Sequence, residues 1–245
     1  MSAVLSRPIV LDLQAGIEPC VRCDARPHSV CNAIGDDDLG RLSALAQVIE
    51  VQPGTTFISE GEPAGHFFNV TRGTAKLFKL LPDGRRQITG FATVGHFLGL
   101  AVSDTYAFSA EAIEPTRFCR FSRNKLRTLL TDFPAMEARL LEVAGNELVA
   151  AQEQMLLLGR KTARERLASF LVMQCRQAAP CGHPRCRFPL PMTRGDIADY
   201  LGLTIETVSR TLTVLRKEGL IDVPGPGILV LCDRPALERV AGGLT

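Results

Sequence analysis

The apolar positions change period several times along the chain, and each change marks a predicted element. Leu39, Leu42 and Leu45 fall on one face at helical spacing, so residues 36–45 read as a short helix. From about residue 48 to 121, short β-type runs alternate with glycines at 54, 61, 65, 73, 84, 90, 95 and 99. Pro82-Asp83-Gly84 reads as a turn between strands at 74–80 and 86–91. Strands this short and this regularly spaced predict a small antiparallel sandwich or barrel. Ser122 then reads as the N-cap of a helix ending near Leu130, and a long helix follows Pro134 to about Leu158. Within it Leu141, Ala144, Leu148, Ala151, Met155 and Leu158 step by three and four, a heptad seam. Such a seam either packs on its own domain or pairs with a second chain in parallel.

Beyond residue 160 the helical period returns. Residues 162–178 form a predicted amphipathic helix with Leu167, Phe170 and Leu171 inward, and 179–191 read as a proline-rich connection. Helices at 194–201 and 205–217 precede a β-hairpin, with runs at 220–223 and 228–231 about Pro224-Gly225-Pro226-Gly227. Residues 1–18 carry no comparable pattern and read as poorly ordered.

The composition narrows the class. A chain of 245 residues with 46% hydrophobic and 22% charged positions can bury one or two cores and is not a disordered chain. No apolar run approaches the roughly 20 residues of a membrane span. The N-terminus lacks the basic-then-apolar pattern of a secretory signal, so no membrane partner and a cytoplasmic location are expected. The formal net charge of +2 is uneven: residues 160–245 hold 13 basic and 8 acidic side chains, the rest 15 and 18. A basic C-terminal part points to nucleic acid. Nothing suggests an enzyme: there is no phosphate-cradling glycine loop followed by Lys, no HExxH and no nucleophile elbow.

Residues 192–210 carry the strongest motif. Thr193 can cap a first helix, Ala198 is small where a second helix crosses, and Gly202 can take φ > 0 in the turn. Thr204 can cap the second helix, and Val208 points back into the pair. This is helix-turn-helix spacing, and the hairpin after it would be a wing. Glu206, Ser209 and Arg210 share one face of the second helix, where Arg suits guanine O6/N7 and Glu suits cytosine N4.

Eight cysteines are present, at 20, 23, 31, 119, 175, 181, 186 and 232, and reduced thiols are expected. Cys20-x2-Cys23-x7-Cys31 places three soft donors in one loop, and the Cys-x2-Cys pair is compact enough to face one metal centre. Spacing alone leaves zinc and iron–sulfur both open. Cys181-x-His183-x2-Cys186 offers metal-like donors without an evident fourth, while Cys175 and Cys232 read as small hydrophobes.

A β-roll, a long helix and a C-terminal winged helix-turn-helix together resemble the Crp–Fnr family of bacterial transcription regulators, from about Cys20 onward. The likeness is strongest at 156–167 and 192–210. It implies an α+β fold: an N-terminal antiparallel β-roll of the cyclic-nucleotide-binding kind, joined by a dimerisation helix to the winged domain. The implied divisions are a cysteine loop (1–35), a sensor roll (36–132), the dimerisation helix (133–160) and the DNA-binding domain (161–245). Residues 205–210 look like the Fnr/FixK type of recognition helix, since the catabolite-regulator branch carries Arg where Ile205 stands. A homodimer on double-stranded DNA, a palindrome with TTGAT-like half-sites, is therefore expected. RNA polymerase is a further expected partner, with a contact near residues 81–86.

The resemblance also bears on the sensor. Cyclic-nucleotide binding in this family needs a cation for the phosphate and an acid for the ribose. Residues 95–101 hold no carboxylate, and no Lys or Arg occurs between Gln87 and Thr116. An unpaired buried anion would be costly, so no cyclic nucleotide is expected, and His96 reads as structural. Three N-terminal cysteines plus one distant cysteine are similar to the oxygen-sensing Fnr branch. That implies a [4Fe-4S] cluster on Cys20, Cys23, Cys31 and Cys119, with Arg22, Arg26, Arg117 and Arg120 lowering the thiol pKa values. The alternative is a FixK-like regulator whose thiols bind zinc or act as redox switches.

The enteric relative carries an acidic residue in the seam where this chain has Ala151. Without that repulsion, the cluster-free chain is predicted to dimerise more tightly than the enteric form. Sedimentation of metal-free protein at micromolar concentration should show dimer, and monomer alone would refute this.

Overall fold

The computed structural model describes residues 9–10, 20–100, 104–178 and 185–243. It divides into two compact units, residues 1–148 and 149–245. The Cys181 and His183 donors lie outside the described residues, as do residues 1–8 and 11–19.

The first unit begins with β1 (Ile9–Val10), which falls inside the segment expected to be poorly ordered. It pairs antiparallel with β2, Ile9 opposite Glu50. One turn of 3₁₀ helix at Asp36–Asp38 leads into α1 (Leu39–Ser43), which buries Leu39 and Leu42 as its apolar spacing requires. Eight further strands build the roll: β2 (Ala46–Val51), β3 (Thr56–Ile58), β4 (His66–Arg72), β5 (Ala75–Leu80), β6 (Arg86–Ala92), β7 (Phe97–Leu98), β8 (Ser109–Ala112) and β9 (Thr116–Ser122). They form a five-stranded sheet, β1-β2-β9-β4-β7, and a four-stranded sheet, β3-β8-β5-β6, all antiparallel.

The middle of the five-stranded sheet is buried on both faces. Side chains alternate along a strand, so adjacent residues serve different cores. Phe68 and Val70 of β4 and Phe118 of β9 face the interior of the roll, where Phe118 stacks on Phe57 with ring centroids 4.7 Å apart. Phe67 of β4 and Phe121 of β9 face the opposite way, into a second core. That core is closed by the cysteine loop, by α1, and by α2 (Arg123–Leu130), which buries Leu126 and Leu129. Ser122 occupies the N-cap of α2 with extended backbone, yet its side chain makes no capping hydrogen bond.

The long helix α3 (Pro134–Arg160) agrees with its predicted extent, and the division between the units falls inside it. Its first turns supply Met136 and Leu140 to the second core.

The second unit continues with α4 (Ala163–Ala178), β10 (Cys186–Pro189), α5 (Arg194–Leu201), α6 (Ile205–Lys217), β11 (Ile221–Gly225), β12 (Ile228–Leu231) and α7 (Arg234–Ala241). The hairpin is present, but its sheet has three strands, β10-β12-β11. β10 lies in the segment read as a proline-rich connection, and α7 was not foreseen. The Arg166 guanidinium donates to the carbonyls of Leu158 (2.8 Å), Lys161 (2.8 Å) and Leu201 (2.9 Å). One side chain thus satisfies orphan acceptors at the C-terminal ends of both α3 and α5. Gln154 donates to the Tyr200 carbonyl at 2.9 Å.

Replacing Arg166 by Ala removes three charge-assisted hydrogen bonds. It should cost about 2–4 kcal/mol of stability, read by chemical denaturation of the chain. An unchanged midpoint would show that water replaces the guanidinium at no cost.

Candidate sulfur centre and nucleic-acid interface

The cysteine loop is a chain of tight turns. Arg26 N–H donates to the Cys23 carbonyl at 3.0 Å, 3₁₀ turns follow at Arg26–His28 and Val30–Ala33, and Ser29 Oγ accepts from the Cys31 amide. The Arg26 side chain straps the loop shut, donating to Asp36 at 2.6 Å and to the Ile34 carbonyl at 2.8 Å. On the sheet side the loop seats against Gly95, which has φ +92°. A Cβ there would lie 2.7 Å from the His28 carbonyl oxygen, so the close approach needs glycine.

This seating brings three of the four predicted donors to one core. Cys20 and Cys31 are buried in the second core, and Cys119 of β9 packs against it. Cys23 is half-buried. The four thiols are close enough to interact electrostatically: charge on Cys31, Cys20 and Cys23 disfavours ionisation of Cys119. Burial is the larger cause and pushes the Cys119 thiol well up. Burial likewise raises Cys31 to about 11, against the lowering effects of the Ser29 hydrogen bond and of Arg26. At Cys31 and Cys119, the expectation that basic neighbours lower the thiol pKa values therefore fails. Desolvation wins, and Arg117 and Arg120 are engaged elsewhere, on Glu50 (2.9 Å) and Gln47 (2.6 Å).

The donor set, four sulfurs of one soft kind in an apolar setting, fits a Cys₄-ligated iron–sulfur cluster and also Cys₄ zinc. Among the described residues, no three His, Cys, Asp or Glu side chains are gathered tightly enough to hold a single ion as they stand. Cys175 and Cys186 are buried in the second unit and Cys232 is half-buried.

The helix-turn-helix is assembled from satisfied helix ends. Thr193 Oγ1 accepts from the Asp196 amide, and the Asp196 carboxylate accepts from the Thr193 amide, a reciprocal capping box. Gly202 ends α5 with φ 61° and ψ 42°, and Thr204 caps α6 by accepting from the Thr207 amide. Val208, Leu212 and Leu215 are buried, whereas Glu206, Ser209 and Arg210 are exposed on the other face. The Glu206 carboxyl is held below its usual range by a hydrogen bond from its own backbone, then by Thr204, with a smaller contribution from Arg210. It is therefore an anionic acceptor at neutral pH.

Along α3, Leu141, Leu148 and Met155 are 75%, 61% and 65% exposed. Ala144 and Ala151 are exposed as well, and Leu158 is half-buried. The single chain thus leaves Leu141, Leu148 and Met155 largely open.

A profile of the Crp-like helix-turn-helix domain matches residues 165–240, and one of the cyclic nucleotide-binding domain matches residues 48–133. The transcriptional activatory protein AadR of Rhodopseudomonas palustris is 44% identical over 85% of this chain and 87% of its own length. The chain belongs to the Crp–Fnr family. The transcriptional activator protein FnrL of Cereibacter sphaeroides is 36% identical over 91% of this chain and 92% of its own. The solved structure of FixK2 from Bradyrhizobium japonicum is similar with a TM-score of 0.74 at 37% identity, covering 80% of this chain and 96% of that one. Relatives in the Crp–Fnr family are transcription regulators, not enzymes, and the family acts as dimers. No helix among the described residues is long and apolar enough to cross a membrane.

Within this Crp–Fnr chain, sequence reasoning missed Arg166, Gln154 and Asn69. The first two donate to backbone carbonyls, and the third is a buried amide at the thiols. None has a spacing signature, because its partner is remote in sequence.

Replacing Arg210 by Ala should cost about 1–3 kcal/mol at the cognate guanine and relax discrimination there. Binding titrations on half-sites altered at that base check this, and unchanged discrimination would contradict the docking.

Proposed function

We propose that the chain is an oxygen-responsive transcription regulator, mainly an activator. In this reading it binds a TTGAT-like palindrome as a homodimer while Cys20, Cys23, Cys31 and Cys119 hold a [4Fe-4S] cluster. The carrying observation is that Cys20, Cys31 and Cys119 meet at a single core, with the half-buried Cys23 close enough for its charge to bear on Cys119. The likeness to FnrL adds support.

When bound, such a cluster would supply an oxygen-sensitive iron–sulfur centre tying these thiolates together. The chain's own residues do the rest. Cys119 anchors one side on β9, and Cys20, Cys23 and Cys31 anchor the loop. Met136 and Leu140 of α3 belong to the same core as Cys20 and Cys31, so any repacking at the thiols bears directly on the start of the long helix. Leu141, Ala144, Leu148, Ala151, Met155 and Leu158 then form the dimer seam. Pairing sets two copies of α6 about one DNA turn apart, roughly 34 Å, with Glu206, Ser209 and Arg210 reading bases. The β5–β6 turn, with exposed Leu80 and Leu81, is the surface offered to RNA polymerase.

Binding of a cyclic nucleotide does not belong to this reading. The buried Lys76 of β5 already pairs with Glu111 at 2.8 Å, and His96 Nδ1 lies 3.1–3.2 Å from Thr93 groups.

Protein purified without air should contain iron and acid-labile sulfide and show broad visible absorption that air bleaches. Replacing Cys119 by Ser should abolish that absorption. Survival of the colour would remove Cys119 from the ligand set. Colourless protein containing zinc would favour a FixK-like regulator with zinc-bound or redox-switching thiols.

A further inference from the structure

Beside Phe67, the outward face of β4 places a polar side chain deep against the thiols. Asn69 is 1% exposed, lies opposite Cys119 in the β4–β9 register and opposite Phe97 in the β4–β7 register. Its Nδ2 donates to Cys31 Sγ at 3.8 Å, within reach for a sulfur acceptor. Its Oδ1 is buried without a hydrogen-bond partner. An amide left half-satisfied in an apolar core is unfavourable unless its environment changes with the state of the neighbouring group. Asn suits such a place because it offers two N–H donors and a carbonyl acceptor, exchanged by a half-turn of the amide. A thiol S–H can donate to the carbonyl, and a ligated sulfur can accept from the N–H.

We infer that Asn69 is a positioning residue for the sulfur centre. Its amide N–H donates to the Cys31 sulfur when that sulfur is a ligand, orienting it and drawing negative charge from it. The inference rests on the reading of Cys31 as a cluster ligand. Hydrogen bonds to ligating sulfurs make a cluster easier to reduce, and removing an outer partner typically lowers metal retention about 10–100-fold. Ser29 also acts on the Cys31 thiol besides accepting from its amide, and Arg26 is occupied by Asp36 and Ile34, so Asn69 is the donor that comes from the sheet side.

The test compares full-length wild type with Asn69→Val and Asn69→Thr, each reconstituted without air with iron and sulfide. Val and Thr match each other in shape and both suit a β-strand, but only Thr keeps an O–H donor. Thermal melting of the metal-free forms checks that all three fold. Asn69→Val should bleach in air about tenfold faster than wild type and show a more negative midpoint potential. It should also show an altered iron–thiolate vibrational band, with Asn69→Thr lying nearer wild type throughout. Equal potentials and bleaching rates for wild type and Asn69→Val overturn the inference. Equal losses in Val and Thr also overturn it, since they would mark a packing role. Wild type that takes up no iron or sulfide overturns the oxygen-sensing reading, and this inference with it.

Discussion

The middle of the five-stranded sheet is buried on both faces, and the first unit is organised around that constraint. β4 and β9 present aromatic rings to both sides, so the outer side needs a cover as apolar as the interior of the roll. A lone helix as short as α1 cannot supply it, and the cysteine loop completes the cover, held by Arg26 and fitted against Gly95. Cys20 and Cys31 are thereby carried into the core beside Cys119. Burial of Cys31 and Cys119, with one nearby guanidinium, favours the protonated thiol, as their raised values express. Only a cationic centre reverses that preference, because ligation requires the thiolate. The same burial that makes the bare thiols inert shapes them into a ligand set.

The DNA-binding unit follows a different logic: its precision comes from satisfied helix ends. The capping box at Thr193, the left-handed Gly202 and the Thr204 cap fix where α5 stops and α6 begins. Arg166 then holds the ends of α3 and α5 through three carbonyls. Glu206, Ser209 and Arg210 project from a helix whose start is defined to the residue, and direct readout of base edges demands that.

Much of this was legible because local rules govern it. The strand–glycine alternation, the 3.6-residue periods and the helix-turn-helix spacing each depend on neighbours in sequence, and the elements fall where those patterns put them. The thiols at 20, 23 and 31 announced themselves by spacing. Cys119 entered only through the family resemblance, since nothing local to β9 ties it to a loop some ninety residues earlier. The misses have the same physical origin. β10 is a strand because β12 offers it a ladder, which the prolines around it conceal. Asn69 in His-Phe-Phe-Asn-Val looks like an ordinary strand residue until the register sets it opposite Cys119. Ser122 shows the converse: a good capping residue at the right position whose side chain makes no capping bond.

The proposed seam sets the scale of any switch. Leu141, Leu148 and Met155 are largely exposed on one chain, and covering such side chains is worth about 1.5–3 kcal/mol each. Counted on two chains this is on the order of 10 kcal/mol, comparable to the roughly 4–15 kcal/mol cost of association. The net is small, so a modest contribution from elsewhere decides the outcome. Reversing a two-state population from 1:99 to 99:1 takes about 5.5 kcal/mol. The core shared by Met136, Leu140, Cys20 and Cys31 is a source of suitable size, since repacking a few buried side chains changes stability by several kcal/mol. In the proposed seam, Ala151 carries no charge to oppose association. The thiol core must then do more of the work of separating the chains than a seam bearing its own repulsion would require.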